Sequence, residues 1–307
     1  MRIESLRDLL SQFPDIDGFW DVDDIPGTEN KIREALAVEE ANWSPKLVEL
    51  LTQLARVQGL AGKLSEAGAT LLLVGEHISK HDEPGMDRVK IRFLIEQGRF
   101  FGLSMNPPQA LSYFAKAWDL ASKLGEDFFS IEAAVMLSIS QPPKSQNDWL
   151  QRIIKLAEDT QDPRAKSWLT QLHVMNGWHN FDFRKYDQAL ASFQKALETS
   201  GKDSGQSIQD AVKTQRIKWA VGRTLRALNR LQEGLDIQRS LLEELNSTGK
   251  VNGHVYLELG ECCQLLKNYD EAKSYFELAY KELSLNGWYS DNRSSELSRI
   301  QHLSKKK

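Results

Sequence analysis

The sequence predicts an all-α fold, an α-solenoid of about six antiparallel helical hairpins with a capping helix at each end. Three observations carry this. One pattern of small and large residues returns along the chain, turn residues separate the apolar stretches, and 307 residues with 41% apolar and 27% charged side chains suffice for a substantial core.

The elements follow in order. Residues 1 to 45 hold eleven acidic against four basic side chains, so an otherwise modest net charge of -4 hides an acidic start and a remainder near +3. Within them, Thr28 to Trp43 reads as one helix, with Thr28 as N-cap and Ile32, Leu36 and Glu39 on one face. Ser44-Pro45 then opens the first hairpin.

The repeating unit is clearest near the C-terminus, where Gly260 is followed by Ala272, Phe276 and Ala279. The same register gives Gly177 with Ala189, Phe193 and Ala196, and Gly98 with Ala110, Phe114 and Ala117. Looser copies are Gly222 with Gly234, Gln238 and Leu241, and Ala55 with Ala67, Leu71 and Val74. Small side chains let two helices approach, and the larger residue four positions on fills the space beside them. Asn106-Pro107-Pro108 and Lys267-Asn268 mark turns, with Asn106 a candidate cap. In the copy between Ile131 and Pro163 the small positions become Leu137 and Trp149, so that hairpin is expected to open and the array to bend. Loops at 200 to 207 and near 247 to 253 absorb the uneven spacing. Asn292 to Leu303 reads as a closing helix before the basic tail Lys305 to Lys307. The expected organisation is therefore 1–45 acidic segment and cap, 46–285 hairpin array, and 286–307 cap and tail.

No catalytic signature interrupts this pattern: nucleotide loops, nucleophile elbows and HExxH pairs are all lacking. His77 and His81 lie four apart but lead into Asp82-Glu83-Pro84-Gly85, a helix end rather than a metal site. Asp21, Asp23 and Asp24 lack the spacing of a calcium loop. Cys262 and Cys263 are adjacent, so they build no disulfide framework, and Cys263 falls on the packing face. The expectation is a protein without catalytic activity, metal or cofactor. Mean hydropathy is -0.46 and the longest apolar stretch, residues 69 to 74, is too short for a bilayer. Glu4, Arg7 and Asp8 break the start where a secretory leader would be apolar, so a cytoplasmic location is expected.

The spacing of small residue, then small-xxx-aromatic-xx-small, over residues 46 to 285 resembles the tetratricopeptide repeat (TPR). That resemblance implies a right-handed superhelix whose first helices line a concave groove. Carried over to this chain, the groove positions are Glu49, Thr52 and Arg56, then Arg92, Ile95 and Arg99, then Ala134 and Ser138. They continue with Gln171, Val174, Trp178 and Phe181, and end with His254, Leu257, Glu261 and Gln264 after the stripe described next. The chain departs from the TPRs that clasp chaperone tails, with Glu96 and Ala220 where those need other polar or basic groups.

Helical geometry adds a stripe of its own. Lys213 to Arg230 holds six basic residues and no acidic one, and Arg216, Trp219, Arg223, Arg226 and Arg230 share a face opposite Ile217, Val221, Leu225 and Leu228. Two arginine clusters around an aromatic centre suit a peptide bearing acidic and apolar side chains. The candidate peptide-binding residues are thus Arg56, Arg92, Ile95, Arg99, Trp178, Phe181, Arg216, Trp219, Arg223 and Arg226, and the expected partner is another protein, acidic in the segment bound. A peptide-sensing regulator and an RNA-binding repeat protein are the competing expectations, the second opposed by the acidic net charge. Residues 12 to 27 alternate acids with Phe13, Ile16, Phe19, Trp20 and Val22, either a capping segment or a ligand for the chain's own groove.

Overall fold

Small side chains at helix crossings dictate how this chain packs, and a computed structural model shows where each one falls. It describes residues 19–21, 24–39, 43–81, 85–200 and 208–305. Among these every regular element is a helix, in two compact units, Met1–Lys166 and Ser167–Lys307.

In the first unit, α1 (Ile25–Glu39) precedes three hairpins: α2 (Pro45–Leu60) with α3 (Leu64–Lys80), α4 (Met86–Leu103) with α5 (Pro107–Leu124), and α6 (Asp127–Ile139) with α7 (Pro143–Asp159). A single turn, α8 (Pro163–Lys166), ends it. The second unit holds α9 (Leu169–Asp182) with α10 (Tyr186–Ser200), α11 (Ile208–Ala227) with α12 (Leu231–Ser247), and α13 (Gly253–Leu265) with α14 (Tyr269–Ser284). It closes with α15 (Gly287–Asn292) and α16 (Ser294–Lys305). The described residues thus carry six hairpins, as the spacing predicts.

The seams are where the pattern places them. A methyl group added at Gly98, Gly177 or Gly260 would lie 2.4, 2.5 or 2.8 Å from the ring of Phe114, Phe193 or Phe276. Each glycine makes room for the phenylalanine of its hairpin partner, and all three rings are buried. At Gly222 the amide of Gln238 takes the ring's place.

The hairpin turns repeat as well. Met105, Arg184, Asn229 and Lys267 adopt left-handed backbone, with φ of 56°, 57°, 60° and 66°, where the α2–α3 turn has Gly62. After each, the next amide bonds back across the helix end, as Asn106 N–H does to the Phe101 carbonyl at 2.8 Å and Asn268 N–H to the Cys263 carbonyl at 2.8 Å, a Schellman closure. The α6–α7 turn is different: it carries Pro142 in extended backbone before Pro143 at the first helical position. There Leu137 is buried and the Trp149 ring meets Trp118 edge-on at 5.8 Å, so both large residues are housed against the preceding hairpin. This copy is the last full hairpin before the division between the two units.

Asn106 caps as expected, accepting from Gln109 N–H at 3.4 Å, and Ser44, which opens the first hairpin, caps α2 by accepting from Leu47 N–H at 3.2 Å. Two boundaries differ. The first helix begins at Ile25, and Asp24, not Thr28, caps it by accepting from Gly27 N–H at 2.9 Å. Thr28 is buried and exchanges two hydrogen bonds with the backbone of Asp21 instead, at 2.9 and 3.1 Å. The closing helix starts at Ser294, and its Leu297 and Ile300 complete the core around Phe276 and Ala279. No helix among the described residues is long and apolar enough to cross a membrane.

Candidate functional site

In the first unit, the arginines expected on an open groove are held by carboxylates of the neighbouring first helices. Glu49 of α2 accepts from Arg88 at 2.9 Å and from Arg92 of α4. Glu132 of α6 accepts from Arg99 at 2.7 Å and lies 3.7 Å from Arg56, while Arg99 also bonds Glu96. Arginines additionally stack on rings: Arg92 lies 4.8 Å from the centre of Phe129, and Arg56 lies 4.3 Å from that of Trp20.

Burial corrects two expectations. Arg92 and Ile95 are each only 1% exposed, so neither presents a side chain to a ligand. Thr52, Ala134, Ser138 and Leu257 are interior too. Helix α4 is packed on more than one side, which leaves its apparent groove face in the core. Burial alone would raise the Glu132 carboxyl, but the charges of Arg99, Arg56 and Arg92 and the bond from Arg99 hold it down to about 2. Burial wins at Glu96, whose carboxyl is pushed up despite Arg99. The walls therefore neutralise most of this arginine cluster internally.

The acidic segment contributes to the same face. Phe19 is buried against α1 and α2, and the Trp20 indole donates to Gln53 Oε1 at 3.0 Å while covering Arg56. Residues 12 to 18 and 22 to 23 of the predicted self-ligand lie outside the described residues.

The second unit carries a different arrangement. Aromatic rings form a chain across successive first helices: Phe181 to Trp178 at 5.6 Å, Trp178 to Trp219 at 5.9 Å, Trp219 to His254 at 5.9 Å and His254 to Tyr289 at 5.5 Å. Arg223 sits above both Phe181 and Trp219, at 5.6 and 5.3 Å from the ring centres. The Trp219 indole donates to the His254 carbonyl at 3.2 Å, which fixes its plane. Ile217, Val221 and Leu225 are buried opposite, as the stripe predicts. Partial desolvation, with the Arg223 charge nearby, holds His254 below the usual histidine range.

The cations of this stripe divide. Glu258, almost wholly buried, accepts two bonds from Arg226 at 2.7 and 3.1 Å and one from Arg223 at 3.4 Å. Arg230 bonds Glu233 in its own turn. Arg216 is exposed and pairs with no carboxylate among the described residues. It borders a cavity of about 590 Å³ with Trp219 and His254 as walls, Leu241 and Leu245 beneath, and Lys250 as a second cation. Lys250 escaped the sequence reasoning because it lies between hairpins, where no helical register applies. Glu258 escaped it because its carboxylate lies one hairpin away from the arginines it serves.

The remaining candidate chemistry is structural. Cys262 and Cys263 are buried, and burial pushes both thiols up to about 12. The rings of Trp43, His77 and His81 stack at 4.5 and 4.2 Å. No group of three or more metal-ligating side chains occurs among the described residues.

No protein-family profile matches this chain, and no curated protein matches it in sequence. Solved structures do match in fold. The chain aligns with a STAND ATPase bearing a tetratricopeptide repeat sensor from Pyrococcus horikoshii at TM-score 0.70 and 14% identity, over 96% of this chain and 47% of that one. It therefore spans about half of that protein. The apo form of RapI gives TM-score 0.68 at 14% identity, over 96% of this chain and 84% of that one. BtubC from P. vanneervenii gives 0.57 at 10% identity, over 81% and 89%. The chain has a TPR-like helical-repeat fold, as its residue spacing implied.

Proposed function

We propose that this protein is a non-enzymatic interaction scaffold and that its second unit holds a partner segment carrying an aromatic or aliphatic side chain beside a carboxylate. The observation that carries this reading is the cavity beside Trp219: an apolar floor, indole and imidazole walls, and two cations, Arg216 and Lys250, at its edge. An apolar side chain fills the floor, and the adjacent carboxylate meets Arg216, which is committed to no acidic group among the described residues. The aromatic chain from Phe181 to Tyr289 extends this surface and favours a segment lying across several first helices. Arg56, Arg99 and Arg226 serve mainly to build the walls, because carboxylates already engage them.

The test is a fluorescence titration of the full chain with a labelled peptide alternating Asp with Phe and Trp, beside the same peptide with Lys for Asp. The acidic peptide binds and the basic one does not. Trp219→Ala and Arg216→Ser each weaken binding about tenfold or more, on the scale of an interface anchor. Equal binding by both peptides, or by both variants and the wild type, overturns the reading.

A further inference from the structure

The first unit encloses a separate cavity of about 570 Å³, a volume suited to a small molecule. Ala55 and Gly59 of α2 and Gly102 of α4 line it beside the Gly98–Phe114 crossing, and a methyl added at Gly102 would meet nothing within 4 Å. Its mouth lies where α2 and α4 end, at Leu60 and Leu103, which are 51% and 45% exposed. Most of the lining is apolar.

Four polar side chains interrupt that lining: Arg56, Glu96, Arg99 and Ser140. Glu96 borders the cavity and is 3% exposed. One carboxyl oxygen bonds Arg99, but Oε2 is buried and has no hydrogen-bond partner among the described residues. Leaving such an atom unsatisfied is costly, and a bound group that satisfies it recovers that cost on binding. An amide or alcohol can donate to a carboxylate oxygen and accept from a carboxyl O–H, so it satisfies Oε2 in either protonation state. The nearby guanidiniums are engaged: Arg99 by Glu96 and Glu132, Arg56 by Glu132 and the Trp20 ring. An anionic head would therefore meet the Glu96 oxygen without a free cation, and a cationic head would meet Arg56 and Arg99.

We propose that this cavity binds a small amphipathic molecule with an apolar body and an uncharged head, an amide or alcohol, whose hydrogen bond satisfies Glu96 Oε2. The site is distinct from the Trp219 surface and does not depend on it.

Calorimetric titration of the full-length protein with octanamide, octanoate and octylamine tests the assignment, since these share a tail and differ in the charge of the head. Octanamide binds at one site, at least tenfold tighter than either charged analogue. Gly102→Leu fills the space without a backbone clash, because a methyl at Gly102 meets no atom within 4 Å, and it abolishes octanamide binding while keeping the melting temperature. Trp219→Ala leaves octanamide binding unchanged. In the wild type the methyl resonance of Met136, at the cavity wall, shifts on octanamide addition and that of Met175, in the other unit, does not. No octanamide binding up to its solubility limit, undiminished binding in Gly102→Leu, an unmoved Met136 signal or equal affinity for octanoate would each overturn the proposal.

Discussion

Gly98 and Phe114 meet at the closest crossing of their hairpin: a methyl on Gly98 would stand 2.4 Å from the ring, whereas one turn further along α4 a methyl on Gly102 meets nothing within 4 Å. The two glycines share a helix but answer to different forces. Gly98→Ala is expected to destabilise by about 1 to 3 kcal/mol through overpacking. Gly102→Ala is expected to stabilise by up to about 1 kcal/mol through helix propensity alone. Urea unfolding of both variants checks the pair, and the opposite order would remove the seam as an explanation of the repeat.

Met105 holds left-handed backbone at φ 56° while its side chain is 87% exposed. Its side chain packs on little, so Met105→Gly relieves the backbone at small loss and raises stability by about 1 kcal/mol. A thermal melt that falls instead would show that the Met105 side chain contributes packing.

Glu132 links pH to stability. Its carboxyl titrates at about 2 in the folded protein against an ordinary 4.5, so it binds a proton less readily when folded. Its contribution is complete above the ordinary value and is lost as pH falls from 4.5 toward 2. At neutral pH the Glu132→Gln variant is expected to be less stable than wild type by about 3 kcal/mol, a gap that narrows in acid. Denaturant curves at several pH values measure the gap, and a pH-independent difference would contradict this role.

Cys262 and Cys263 are buried with thiols pushed up to about 12, so neither reacts appreciably with an aromatic disulfide reagent at neutral pH while the chain is folded. Labelling is expected to follow unfolding, at the unfolding rate in mild denaturant. Rapid modification of native protein would exclude the packing assignment.

How far the sequence could be read depended on the range of the interaction. Gly260 and Phe276, or Gly98 and Phe114, sit in one hairpin at a fixed separation, so their contact is written in local register. The caps at Ser44 and Asn106 are local for the same reason. The pairs Arg92 with Glu49 and Arg226 with Glu258 join different hairpins, 43 and 32 residues apart, and no helical period encodes them. The charge run from Lys213 to Arg230 was therefore visible while its partial neutralisation was not. Ile95 and Leu257 lie on first helices in places that the resemblance assigns to a groove, yet contacts with adjacent helices bury them.

At the α11–α12 seam Gln238 replaces a ring with an amide. Its side-chain N–H donates at 3.0 Å to the carbonyl of Trp219, the residue whose indole walls the second-unit cavity. A phenylalanine fills this position in three other hairpins by packing alone, with no directional bond. The amide pins α12 to α11 at the indole's own peptide unit. Displacing that indole's peptide unit therefore costs a hydrogen bond in addition to the close packing that this seam shares with its neighbours.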